Sequence, residues 1–397
     1  MYRAIGVLKS WRNAALLSRG FRPFFLAAAL WAVAAIAIWP LFFTGAVAIP
    51  TAFSPIDWHI HEMIYGYAVA VVAGFLLTSI PNWTGHLPVA GWPLALICSL
   101  WMLGRLAVCT SAWIGWVPAA LVDTAFLVVF AGLISREVIT GNNQRNLKVV
   151  ALVLILAAAN AAFHIEAAVS GSAAIAARAG LAIIVFLILL IGGRVVPSFT
   201  HNWLARQQVE KRPVSFGNFD SGVLVLSALA LIAWIAAPEQ NWTGVALLIA
   251  GGANFWRLWR WRGWSTRADQ LVLVLHAGFF FAALGFLFTG VHALWPLVAS
   301  MAAGVHVWAV GAIGTMTLAM MTRTTLSHTK HDLVASRTTQ FVYGAVVAAM
   351  IARVLMEFVP GLALPFLYMA AAAWVAAFAG FVIVYGPMLA QRAGRRR

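Results

Sequence analysis

The sequence predicts an all-α polytopic membrane protein: one helical-bundle domain of about twelve transmembrane helices, with both termini cytoplasmic. Three observations carry this. Of the 397 residues, 63% are hydrophobic and 9% charged, against about a quarter charged in soluble domains. Apolar runs of about 20 residues, the length a helix needs to cross a bilayer, recur along the chain. The basic residues collect in every second connection, the positive-inside arrangement.

In chain order the first span, Phe21–Ala46, follows a basic segment holding Arg3, Lys9, Arg12 and Arg19. The second, Asp57–Pro81, opens on a capping sequence, and the connection after it, Asn82–Gly91, has no Lys or Arg. Trp92–Ser111 and Trp116–Arg136 follow, then a connection with Arg145 and Lys148. Leu147–Ala168 and Ala173–Ser198 lead to Arg206, Lys211 and Arg212. Phe219–Ala237 and Trp242–Trp256 lead to Arg257, Arg260, Arg262 and Arg267. Ala268–Gly290 and Pro296–Met321 lead to Arg323, Lys330 and Arg337, and Thr339–Val359 and Leu364–Ala390 lead to Arg395–Arg397. The formal charge of +15 is therefore a topology signal, not a sign of nucleic-acid recognition. The first apolar run is longer than the core of a signal peptide and no cleavage site follows it. Cys98 and Cys109 fall on one predicted helix about 16 Å apart and cannot bridge each other.

Chemistry-bearing residues inside the spans are few. At the outer end of the second span, Ser54, Pro55 and Asp57 read as cap, first-turn proline and dipole-complementing acid. His59, His61 and Glu62 come directly after. On a regular helix His59 and His61 point about 200° apart, so they serve two sites, or one is a ligand and the other a supporting group. A π-bulge or an unwound first turn would bring them together. His164, one turn after Asn160, lies at a comparable depth. His276 and His306 lie on neighbouring spans joined by a short loop; pairing outward from that loop sets His276 opposite about residue 310, within roughly 6 Å of the depth of His306. Neutral imidazole is the commonest metal ligand, and ionisable groups at membrane depth are costly and usually functional. Each histidine alone is equally well explained by a hydrogen bond between helices. His86, His201, His292, His328 and His331 fall in connections or at helix ends.

Arg194, flanked by Gly192, Gly193 and Pro197, and Arg323 are candidates for holding cofactor carboxylates; snorkelling explains Arg323 equally well. Met316 and Met320 read as packing. The membrane carboxylates are Glu62, Asp123, Glu166 and Glu357, too few for a pump with acidic relays. No phosphate-binding or dinucleotide loop is recognisable.

Six segments resemble the NnrS family: GFRPFFLAAALWA from Gly20, WHIHEMIYGYAVAVVAGFLLTSIPNWTG from Trp58, LWMLGR from Leu100, IGGRVVPSFT from Ile191, LHAGF from Leu275 and HVWAVGAIGTMTLAMMTRTTLSHT from His306. Ser327 departs from the glycine usual before the histidine. The resemblance implies a bacterial inner-membrane protein containing haem and copper, linked to nitric oxide metabolism and nitrosative stress. By motif the family's histidines correspond to His59, His61, His164, His276, His306 and His328.

These readings combine into one expectation: a membrane metalloprotein that binds nitric oxide and reduces or detoxifies it. His276 and His306 would hold a deep centre, a b-type haem whose carboxylates meet Arg194 and Arg323. His59, His61 and His164 would hold an outer copper, with Glu62 as proton donor or as the group orienting a ligand. Electrons would come from a quinol or a protein donor, with bilayer lipid as the other partner. The alternatives are a transporter or metal-handling protein, and a sensor or accessory protein that binds haem or nitric oxide without turnover.

Overall fold

The computed structural model describes residues 14–391; Arg3, Lys9, Arg12 and Arg395–Arg397 lie outside them. Among the described residues every regular element is helical. We number the spans α1 (Phe21–Phe43), α2 (Pro55–Thr84), α3 (Trp92–Cys109), α4 (Trp116–Thr140), α5 (Gln144–Ser170), α6 (Ala174–Arg206), α7 (Asn218–Ala236), α8 (Asn241–Arg260), α9 (Gln270–Leu294), α10 (Met301–His328), α11 (Arg337–Phe358) and α12 (Pro360–Ala390). Eleven of them are long and apolar enough to cross a membrane. The exception is α8, which is 20 residues long but spends four positions on Asn241, Asn254, Arg257 and Arg260. It corresponds to the expected span Trp242–Trp256. Cys98 and Cys109 are both free on α3.

The described residues fall into two compact units. The first takes in residues 14–180, 324–332 and 381–391, and the second residues 181–323 and 333–380. In the first, α2 packs against α1, α3 and α4, and α4 packs against α3 and α5. In the second, α8 packs between α7 and α9, and α10 packs against α9 and α11.

Three spans contain a π-helical stretch: Glu62–Ala68 in α2, Ile188–Gly192 in α6 and Val307–Gly314 in α10. The wider turn displaces carbonyls from the ordinary ladder, and in lipid a freed carbonyl must find a donor within the protein. Within the first stretch Trp101 Nε1 donates to Gly66 O at 3.0 Å. Within the second, Arg257 donates to Leu189 O at 3.5 Å.

The start of α2 is set by local chemistry. Ser54 Oγ accepts the Asp57 N–H at 3.1 Å and donates to Asp57 Oδ2 at 2.6 Å. The second Asp57 oxygen accepts the Ala173 N–H at 3.2 Å, tying the head of α2 to the α5–α6 connection. This anchor precedes the π-helical stretch and fixes how His61 and Glu62 enter the first unit.

Candidate metal centre

Within the first unit, α2, α3, α4 and α5 each send polar side chains to one buried point. From α2 come His61 and Glu62, both 0% exposed; from α3 comes Arg105, from α4 Asp123 and from α5 Asn160 and His164. Asp123 is the hub. Its Oδ2 accepts from Asn160 Nδ2 at 2.8 Å and lies 3.1 Å from His164 Nε2 and 3.2 Å from His61 Nε2. Its Oδ1 pairs with Arg105. Arg105 also donates to both Glu62 oxygens, at 2.8 and 2.9 Å, and Glu62 Oε1 lies 3.0 Å from His61 Nδ1.

These contacts divide the labour. Glu62 takes one nitrogen of His61 and turns the other toward Asp123. Of the two roles expected for Glu62, orienting a ligand is the one its contacts support, since both its oxygens face Arg105. Packing holds the set rigid. A Cβ on Gly104 would stand 2.8 Å from Asp123 Oδ1 and 3.2 Å from Asp123 Cα, so α3 approaches α4 as only glycine allows. The rings of Phe53, Tyr65 and Phe163 lie 5.1–5.2 Å from the His61 ring, and Phe53 is also 5.1 Å from that of His164. The polar cluster is thus roofed by aromatic surface.

One imidazole nitrogen from each of His61 and His164 and one oxygen from Asp123 lie within 4.8 Å of one another. Two imidazoles and a carboxylate from three helices form a donor set suited to a first-row transition ion, copper included. The fixed charges point the same way: Glu62 and Asp123 carry two negative charges against the single positive charge of Arg105. A buried surplus of that sign calls for a cation, whether a metal ion or a proton on an imidazole.

The structure departs from the expected groupings at two points. His59 is half-buried and stacks on Trp39 at 4.3 Å with 17° between the planes, outside the cluster. The π-helical stretch begins at Glu62, after both histidines, and does not converge them. The depth match of His276 and His306 fails as well. Gly278 faces Met316, Gly285 faces Trp308 and Gly304 faces Thr289. His306 therefore falls opposite about position 287, which is roughly 16 Å from His276 along α9 at 1.5 Å per residue. His276 Nε2 is 2.7 Å from Thr200 Oγ1. Its Nδ1, buried and without a hydrogen-bond partner among the described residues, faces Gly263, where a Cβ would stand 2.5 Å away. His306 Nδ1 donates to Ala302 O at 2.7 Å. A haem held between these two imidazoles does not fit this packing. Arg194 lies 5.8 Å over the Phe216 ring and Arg323 4.1 Å over that of Phe199.

A match to the family described as NnrS protein runs over residues 15–392. The chain belongs to the NnrS family. Membership links it to the nitric oxide response, and NnrS proteins are associated with metal and haem. Comparison with curated proteins gives no match. In this NnrS chain the sequence reading brought forward His61, His164 and Glu62 but left Arg105, Asp123 and Asn160 out of the site. A signal for two of them was present. The short connection between α3 and α4 puts Arg105 and Asp123 at similar depth, and opposite charges at one depth in a membrane pair.

Proposed function

We propose that this chain is a membrane metalloprotein that captures nitric oxide at a metal ion held by His61, Asp123 and His164, with copper the ion the donor set suits, and removes it. The observation that carries the reading is the convergence of three ligand atoms within 4.8 Å on a buried point with surplus negative charge, in a family tied to the nitric oxide response. Nitric oxide is small and apolar and partitions into lipid, so a centre roofed by Phe53, Tyr65 and Phe163 is open to it while water is kept out. Bound there, copper would supply a one-electron centre that coordinates the gas. Glu62 and Arg105 hold His61 in its ligating orientation, and Asn160 does the same for Asp123. Removal by reduction turns two molecules of nitric oxide, two electrons and two protons into nitrous oxide and water, the electrons coming from a quinol or a protein donor.

The test is metal analysis and anaerobic nitric oxide consumption by the purified chain with a reductant, beside His61→Ala and His164→Ala. The expected result is metal in the wild type, lost from both variants together with consumption. Metal content unchanged in both variants overturns the assignment of the site. Stoichiometric nitric oxide binding without loss of the gas overturns removal and leaves a sensor. Copper flux into proteoliposomes without binding of nitric oxide points to metal handling instead.

A further inference from the structure

Arg323 lies five residues before the end of α10 at His328. Its guanidinium carbon rests 4.1 Å over the Phe199 ring of α6. Among the described residues it makes no ion pair, and its buried Nη1 has no hydrogen-bond partner. Phe199 and Arg206 are seven positions apart on α6, about 20° from eclipsed at 100° per residue. They share the face on which Arg323 stacks, with Arg206 about 10 Å further along, at the C-terminal end of α6. The acid in range is Asp269, but its Oδ1 is engaged in capping α9, accepting from Leu271 N at 2.9 Å and Val272 N at 3.3 Å.

Simple snorkelling does not describe this geometry. A snorkelling arginine extends its head into water or among mobile headgroups, whereas this head is folded onto an aromatic ring with one nitrogen shielded. A shielded cation at the basic end of the helices, with no carboxylate within ion-pair distance among the described residues, is costly until an anion joins it. Two features select the anion. Guanidinium groups bind tetrahedral oxyanions through paired N–H donors. Five residues from the helix end is about 7 Å at 1.5 Å per residue, the depth of the headgroup layer rather than of the hydrocarbon centre. Basic pockets between membrane helices on the basic side take anionic headgroups.

We propose that Arg323 and Arg206, on the platform of Phe199, bind one phosphodiester anion, the headgroup phosphate of an anionic phospholipid. The test titrates the purified, delipidated full chain with short-chain phosphatidylglycerol, phosphatidylcholine and inorganic phosphate, read by native mass spectrometry and thermal shift. One phosphatidylglycerol per chain should bind while phosphatidylcholine does not. Arg323→Gln and Arg206→Gln should each weaken binding about tenfold or more, as loss of a charge-assisted hydrogen bond does. Arg323→Lys should fall between, and Arg145→Gln, at an exposed arginine of the first unit, should match the wild type. Because Arg206 is exposed, its variant keeps the test open if Arg323→Gln does not fold. Equal binding by the wild type and both glutamine variants overturns the proposal. So does competition by inorganic phosphate at equal concentration, which would make free phosphate the ligand. Loss of haem from Arg323→Gln with phosphatidylglycerol binding unchanged would instead assign the anion to a cofactor carboxylate.

Discussion

Replacing Arg105 by methionine, of similar length and without charge, is the sharpest perturbation of the buried cluster. Arg105 is 3% exposed and donates to Glu62 Oε1 and Oε2 at 2.8 and 2.9 Å and to Asp123 Oδ1. Its loss takes the fixed charge of the cluster from −1 to −2 and leaves two carboxylates facing each other away from water. Removing one partner of a buried ion pair costs about 3–5 kcal/mol, or two to nearly four decades in the unfolding equilibrium at about 1.4 kcal/mol per decade. The double variant Glu62→Gln/Arg105→Met returns the fixed charge to −1 and should recover about half of that loss or more, a coupling of about 2 kcal/mol between neighbours. Reversible denaturant unfolding in mixed micelles, followed by tryptophan fluorescence, measures both variants on one scale. A loss below about 1 kcal/mol for Arg105→Met, or a double variant less stable than the single, would refute the claim that these charges form one compensated set.

Other outcomes follow from the same geometry. Glu62→Gln, which withdraws the carboxylate that orients His61, should weaken metal binding about 10–100-fold in competition with a chelator, with less effect than His164→Ala. His59→Ala, which removes the ring stacked on Trp39 and none of the three ligand atoms of the cluster, should leave metal content as in the wild type, as elemental analysis would show. Gly104→Ala should cost about 1–3 kcal/mol, because its Cβ meets Asp123 backbone at 3.2 Å. Gly132→Ala, on α4 with nothing within 4 Å, should stabilise by up to about 1 kcal/mol. Gly193→Ala should destabilise the second unit, since its Cβ would overlap the guanidinium of Arg257, which is fully buried and held by Asp220 at 3.1 Å.

The spans and the cap of α2 were legible because lipid makes severe demands: every backbone group satisfied within the span, every charge at an end or paired. Those demands act on composition, which the sequence displays directly. Registers between helices are set by packing, and the sequence displays them only through the turn that joins them. Between α3 and α4 that turn is bounded tightly, by Cys109 and Trp116, and pairing outward from it sets Arg105 opposite about residue 120, within one turn of Asp123. Between α9 and α10 the expected turn lay between Gly290 and Pro296, whereas α9 runs to Leu294 and α10 starts at Met301.

An error in the centre of a turn is doubled in the pairing, because one strand of the hairpin gains the residues that the other loses. A shift of about four residues therefore moves the partner of His276 by about eight, from 310 to 318, consistent with Gly278 facing Met316. Nothing in the apolar sequence of either helix resists such a slip, since leucine or phenylalanine reads much the same at any depth. Arg105 and Asp123 do resist it, because displacing either by two turns would strand a charge in hydrocarbon. Depth arguments in a membrane hairpin are therefore strong where they join opposite charges and weak where they join two neutral imidazoles. That asymmetry is why the charges around His61 and His164 were recoverable from the sequence, while the expected meeting of His276 with His306 was not sound.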